Sequence, residues 1–301
     1  MVVVTSGKKY IDIDAYAGCI AYAKLLNLKG IKAKAISTAK PNESITPSLM
    51  KLTSKLDEYK PDKEDKYIII DVSNKDYFDT FVQEEKIIGI IDHHVGFEEY
   101  WKDKLKEKAQ IEFIGSVATI IVELYEKENL MEQISKDLAI LLISAILDNT
   151  LNLKAKITTK RDIFAYKKLE KIIKDETYPE KYFKECQLEI NYNLKKAIEN
   201  DTKIENINNI LPPIFAQLTI WDKDSILENK KIIYETLDSI GTKWMLNLIC
   251  LKDGKSYLLA KDIEVQDNME KLFHEQFQDV IMKLENVWLR KEIIKLGLKN
   301  Q

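Results

Sequence analysis

Asp12-x-Asp14, Asp71, Asp92-His93-His94 and Asp148 are the residues of this chain best suited to hold a hard cation. The chain has three histidines, and two of them are adjacent here. Neutral imidazoles ligate metals or donate to phosphate, and carboxylate oxygens are the ligands that Mg²⁺ and Mn²⁺ take. Each acid also has an ordinary reading by itself, because strand ends and helix caps favour Asp. Gathered in one crevice, the same carboxylates repel one another and need cations to compensate. Two ions roughly 3.5–4 Å apart share one bridging carboxylate and activate a bridging water. Asp71, alone on its strand, is the natural bridge. Such a clamp on attacking and leaving oxygens fits a phosphoryl substrate.

Positioning these groups falls to a series of strands and helices. Residues 86–94, Lys-Ile-Ile-Gly-Ile-Ile-Asp-His-His, read as a strand buried on both faces that ends on the acid and the histidine pair. Residues 2–5, 31–36, 67–71 and 110–113 read as further strands. Helices are expected at 15–28, 45–56, 77–82, 117–127 behind Ser116 as N-cap, 131–148 and 159–174. The alternation gives an α/β fold with a doubly wound parallel sheet, whose strands' carboxyl ends open onto one ligand crevice. A polar and aromatic stretch at 179–192 reads as a helical connector. Beyond it, strands are expected at 214–220, 244–251 and 257–260, the last two joined by the hairpin signal Asp253-Gly254. Helices are expected at 224–240 and 268–284, before a basic tail. The expected division is a metal-binding catalytic domain at 1–185, a linker at 186–192, and a smaller α/β substrate domain with a mixed sheet at 193–301. The active site would lie in the cleft between them.

Composition narrows the functions. With 46 basic and 49 acidic residues, the formal charge of −3 gives no general attraction to nucleic acid or anionic membrane. Three cysteines without a CxxC pair argue against a disulfide framework or zinc knuckle and fit a reducing compartment. Residues 1–5 do not read as a signal peptide, and the apolar run 138–147 is too short to span a bilayer. A cytoplasmic protein is expected. The 14 tyrosines show no base-stacking pattern.

The order Asp12-x-Asp14, Asp71, Asp92-His93-His94, Asp148 resembles the DHH phosphoesterases. Within these it is most similar to the branch of family II (manganese-dependent) inorganic pyrophosphatases, exopolyphosphatases and prune-like proteins. Gly115-Ser116-Val117-Ala118-Thr119 resembles the branch's G-S-x-A-T segment, and Leu147-Asp148-Asn149-Thr150 with Thr159 and Asp162 its fourth motif and the T-x-x-D beyond. More weakly, Asp201-Thr202-Lys203, Ala216-Gln217-Leu218 and Val287-Trp288-Leu289-Arg290-Lys291 resemble segments of its second domain. The resemblance implies Asp14, Asp71, His93 and Asp148 as ligands of one metal and Asp12 with Asp71 as ligands of another. It implies one or two Mn²⁺ or Mg²⁺ per chain. His94 then contacts phosphate, Asp92 orients its neighbour's ring, and Lys203, Arg290 and Lys291 hold a small phosphorylated substrate. A homodimer through the first domain is also implied.

The first motif departs from the family. Where its pyrophosphatases have a histidine after the glycine, this chain has Gly7-Lys8. A charged lysine has no lone pair to ligate a metal, so Lys8 is a candidate to replace the missing positive charge or to contact phosphate. Ile11, Ala15 and Leu289 replace the family's Pro, Ser and Ser. The expected function is hydrolysis of pyrophosphate or short-chain polyphosphate by a metal-bound hydroxide. Two alternatives stand beside it: a catalytically reduced phosphate-binding or regulatory module, and a phosphodiesterase on cyclic nucleotides or short oligonucleotides. The absence of a glycine-rich cluster after residue 190 counts against the second.

Overall fold

In the computed structural model, which describes residues 1–300 apart from 54, 55, 57–59 and 61, the branched apolar runs become the centre of a sheet. In chain order the elements are β1 (Val2–Thr5), β2 (Tyr10–Ile11), α1 (Ile13–Leu28), β3 (Ala33–Ala35), β4 (Lys40–Pro41), α2 (Pro47–Met50), β5 (Lys66–Ile70), β6 (Ile87–Asp92), α3 (Glu98–Leu105), β7 (Ala109–Ile111), α4 (Val117–Lys127), α5 (Lys136–Asn149) and α6 (Lys160–Ile173). Five strands form a wholly parallel sheet in the order β3-β1-β5-β6-β7. β5 and β6 sit inside it, which is why neither alternates polar with apolar. Tyr67, Ile69, Ile87 and Ile90 pack with Val3, Ile36 and Trp101 in one buried cluster. Strand order reverses between β1 and β5, and such a switch point opens a crevice at the carboxyl ends. Asp71 follows β5, Asp92 ends β6, and residues 6–9 follow β1.

Helix α1 is apolar on most of its surface because it is covered from several sides, packing on α4, α5, β1 and β3. Gly18 lets it approach the sheet: a Cβ there would stand 2.7 Å from Cγ2 of Ile70. That close approach, one turn after Asp14, brings the start of α1 beside the end of β5.

The chain divides into two compact units, Met1–Pro179 and Glu180–Gln301. α7 (Tyr178–Tyr192) begins two residues before the division, and the stretch 186–192, expected as a linker, is its second half. Gln187 donates to the Asp222 carbonyl and accepts from the Asp222 amide, so this half belongs to the second unit. There follow α8 (Leu194–Asn200), β8 (Thr202–Ile204), β9 (Ile214–Ile220), α9 (Asp224–Leu227), α10 (Lys230–Asp238), β10 (Trp244–Cys250), β11 (Lys255–Leu259), α11 (Ile263–Phe273), β12 (Phe277–Gln278), β13 (Ile281–Leu284) and α12 (Arg290–Lys299). Their mixed sheet runs β12-β13-β11-β10-β9-β8, with only β9 and β10 parallel. Alternate residues of β9 and β10 enter two cores: Ala216 and Leu246 one, Phe215 and Met245 the other.

Several expected helices are corrected. The helix at 268–284 stops at His274, which takes a left-handed C-cap conformation at φ 56°, and its second half is the hairpin β12–β13 turning at Asp279, φ 60°. Pairing Ile281–Leu284 with β11 outweighed local helix propensity. At 77–82 there is only a 3₁₀ turn over Lys75–Tyr77, because Asp79 instead accepts from the amide and hydroxyl of Thr38. The helix at 45–56 is a single turn, α2; residues 54 and 55 of that expectation lie outside the described residues. Helices α3, α8 and α12 and strand β8 were not anticipated. Among the described residues, no helix is long and apolar enough to cross a membrane.

Candidate metal centre

The acids at the start of α1 have different tasks. Asp12 is the N-cap, its Oδ1 accepting from the Ala15 amide at 3.0 Å. Asp14, fully buried, points at the start of another helix. Its Oδ1 accepts from the Ser116 hydroxyl at 2.8 Å and the Ala118 amide at 2.9 Å, and its Oδ2 from the Val117 amide at 2.9 Å. The positive end of α4 therefore holds this carboxylate. Burial nevertheless raises its pKa to about 6; His93 opposes the rise and Asp12 adds to it.

The segment holding α4 is itself pinned. Asp162, the third residue of α6 and buried, accepts from the Gly115 amide at 3.1 Å and from the Thr119 hydroxyl at 2.6 Å. It also closes a capping box with Thr159. Gly115 is required there, since a Cβ would stand 2.7 Å from Thr150 and 2.8 Å from Asp162. Gly115, Ser116, Ala118, Thr119, Thr159 and Asp162 thus form one support beneath Asp14.

Asp71 stands on the turn leaving β5 at φ 62°, a left-handed conformation rarely taken outside glycine that marks strain at functional sites. Its Oδ1 is buried with no hydrogen-bond partner. Burial first, then the charges of Asp12 and Asp14, hold its pKa well above the carboxylate range. Facing it is His93, whose Nδ1 lies 3.0 Å from the Ile114 carbonyl. An imidazole that donates through Nδ1 has its lone pair on Nε2. That Nε2 is 3.2 Å from Asp71 Oδ1 and 3.9 Å from Asp14 Oδ2. Asp92 Oδ1 gathers the amides of His93 and His94 and the Nδ1 of His94, the last at 2.8 Å. Burial works against a charged His94, but the Asp92 hydrogen bond and the Asp71 charge outweigh it and raise its pKa. Asp92 is lowered: burial pushes it up, and the bond to His94 prevails.

Ligand atoms of Asp71, His93 and His94 all lie within 4.8 Å of one another. An orphaned buried carboxylate oxygen, an imidazole lone pair aimed at it, and acids that repel one another are the donor set a hard divalent cation fits. The centre therefore assembles Asp14, Asp71 and His93 in direct proximity, with Asp12 close enough for its charge to act on both acids. Asp148 lies half-buried in the last turn of α5, the helix packed on α1. Lys8 is exposed on the loop after β1, its amide donating to the Tyr77 carbonyl at 2.9 Å.

In the second unit two of the three expected phosphate-binding cations, Arg290 and Lys203, have protein partners. Arg290 donates through Nη1 to the carbonyls of Asp201 and Phe215, at 2.6 and 3.0 Å, and through Nη2 to Asp201 Oδ1 at 2.6 Å. Its amide donates to Gln217 Oε1 at 2.6 Å. Lys203 pairs with Glu205 at 2.7 Å, and Lys291 is exposed on α12.

The residues that sequence reasoning left without a physical role are the supports: the Ile114 carbonyl and Asp162 above all. For Asp162 the signal was present in Thr159-x-x-Asp162, a capping-box spacing. For Ile114 there was none, because a backbone carbonyl carries no residue-specific mark.

Residues 2–146 match the family model described as DHH family, N-terminal domain. A probable manganese-dependent inorganic pyrophosphatase of Lactobacillus gasseri is 24% identical over 306 aligned positions, covering 98% of this chain and 96% of that protein. One from Bacillus licheniformis is 31% identical over 175 positions, 56% of this chain and 55% of that protein. Among solved structures, a candidate family II inorganic pyrophosphatase of Methanococcus jannaschii aligns with a TM-score of 0.69 at 23% identity, covering 99% of this chain and 100% of that one. The likeness shows a shared fold, a parallel-sheet unit followed by a mixed-sheet unit.

Proposed function

Because residues 2–146 belong to the DHH family as its N-terminal domain, we propose that this chain is a divalent-cation-dependent hydrolase of phosphoanhydride bonds. Its proposed substrate is inorganic pyrophosphate or a short polyphosphate, in keeping with the names of its relatives. The observation that carries the reading is His93 Nε2 set 3.2 Å from the orphaned Asp71 Oδ1, a donor pair that calls for a cation. Asp14, Asp71, His93 and Asp148 are assigned to one ion, and Asp12 with Asp71 to a second, manganese or magnesium in each case. A bound ion supplies Lewis acidity toward water and phosphoryl oxygen.

The chain's own residues do the rest. The Ile114 carbonyl keeps His93 in the tautomer that offers Nε2. Asp92 holds Nδ1 of His94, so the remaining nitrogen of that ring, when protonated, donates to a phosphate oxygen. Lys8 cannot ligate while charged; its ammonium instead takes up phosphate charge. With Lys8 standing where the family's pyrophosphatases have a histidine, and Asp12 Oδ1 capping α1, the second ion is the weaker of the two. On the second unit, Lys203, Lys291 and the uncommitted Nε of Arg290 are the proposed phosphate contacts.

The test is a panel of pyrophosphate, tripolyphosphate and long-chain polyphosphate with Mn²⁺, Mg²⁺ or Co²⁺. Turnover of at least one short substrate is expected to exceed an Asp71→Ala control by about 10³-fold, the scale of a lost metal or oxyanion ligand. Equal rates in the two proteins would refute the reading.

A further inference from the structure

Beside the metal centre the first unit has a pocket larger and less polar than inorganic phosphate requires. Its volume is about 510 Å³, within the range of roughly 300–1,000 Å³ that holds an organic ligand of drug size. Asp71 and His94 line one part of it, together with Lys8. Another part is apolar, formed by Tyr10, Tyr77 and Val95. These are 51%, 56% and 69% exposed, so three large apolar side chains stand open beside the charged groups of Lys8 and Asp71. Exposed apolar patches of this kind mark ligand grooves. The wall is held in place: Gly7 bridges to Phe78, and the Lys8 amide bonds to the Tyr77 carbonyl.

We propose that this pocket takes the organic half of a phosphoanhydride, a nucleoside 5′-polyphosphate. Its terminal anhydride meets Asp71 and His94, and its base lies on the wall of Tyr10, Tyr77 and Val95. The inference rests on the hydrolase reading above and names a larger substrate for the same centre. Complementarity selects the occupant. One end must be a compact polyanion, matching Lys8 and the cation-binding acids; the other must be flat and apolar, matching rings that stack on any base. Pyrophosphate has only the first end. In the reaction a water oxygen bonds to the terminal phosphorus and the bridging P–O bond breaks. Its electron pair leaves on the shortened nucleoside phosphate, free phosphate forms, and one proton passes to solvent.

Tripolyphosphate and ATP carry the same three phosphates and differ by the nucleoside. With Mn²⁺, kcat/KM for ATP is expected to exceed that for tripolyphosphate at least tenfold, the gain that base–aromatic stacking supplies. The double variant Tyr10→Ala/Tyr77→Ala should bring that ratio close to one, while Tyr10→Phe/Tyr77→Phe, which keeps the rings, should preserve it. A wild-type ratio at or below one, or a ratio the alanine variant does not move, overturns the proposal and leaves the hydrolase reading standing. If neither compound is hydrolysed above the Asp71→Ala control, the proposal is overturned as a reaction, the hydrolase reading rests on pyrophosphate turnover alone, and calorimetry decides the pocket. AMP must then bind at least tenfold more tightly than ribose 5-phosphate in the wild-type chain and lose that advantage in the alanine variant. Equal affinities overturn the pocket as well.

Discussion

At the end of β5, Asp71 Oδ1 lies buried without a hydrogen-bond partner; at the start of α12, Arg290 makes three hydrogen bonds through its guanidinium to its own unit. The first unit brings like charges together in a place that satisfies them incompletely and adds a left-handed backbone at Asp71. The second unit sets opposite charges against each other, Arg290 with Asp201 and Lys203 with Glu205. A folded chain keeps an unfavourable cluster of acids only where something else compensates it. Arg290, bonded three times within its own unit, is part of that unit's stability. The two regions, both rich in charge, therefore differ in hydrogen-bond satisfaction.

That contrast can be broken most directly at Asp71. Asn tolerates the left-handed backbone and carries no charge. Asp71→Asn is expected to lower Mn²⁺-dependent pyrophosphate hydrolysis by about 10³-fold while raising the melting temperature of the metal-free chain. A variant that is both inactive and less stable would show that Asp71 serves the fold.

The next largest effect is on pH. A free Asp titrates at 3.8 and Asp14 in the folded chain at about 6. Between these values the folded chain binds the extra proton, so stability falls as pH rises through this window and stays low above it. The contribution is about 3 kcal/mol at most. In chelator, denaturant unfolding should give a more stable chain at pH 5 than at pH 7, and Mn²⁺ should restore more stability at pH 7 than at pH 5. A metal-free stability that rises across that interval contradicts the account.

Arg290→Ala should destabilise the protein by roughly 2 kcal/mol, because it removes the charge-assisted bonds to the Asp201 carboxylate and to the carbonyls of Asp201 and Phe215. Unchanged denaturant midpoints would show that these bonds add nothing to the stability of the second unit. Smallest of all, Lys203→Ala should alter stability by less than about 0.5 kcal/mol, since its exposed pair with Glu205 is screened by water. A reduced affinity for pyrophosphate in that variant, at unchanged stability, would mark Lys203 as a substrate contact.

Much of the first unit was legible because its signals are local. A run such as Ile68-Ile69-Ile70 before Asp71 reads as a central strand in any context, and Ser116 before an apolar periodic stretch reads as an N-cap. The second unit was harder. Residues 281–284 carry enough helix-compatible side chains to extend a helix, and only the presence of β11 alongside made them a strand. Arg290 read as a phosphate ligand, because nothing near it in sequence announces Asp201 or the Phe215 carbonyl.

The order of amino acids by itself determined which residue types stand at which strand and helix ends, and hence that acids and imidazoles would face one crevice. Only the tertiary structure decided which of their atoms are satisfied. Asp14 meets Ser116 across 102 positions of chain and His93 meets Ile114 across 21, so whether an oxygen or nitrogen is spoken for depends on how separate elements pack. Periodicity and caps are properties of neighbouring residues; a lone pair left facing a carboxylate is a property of the packed whole.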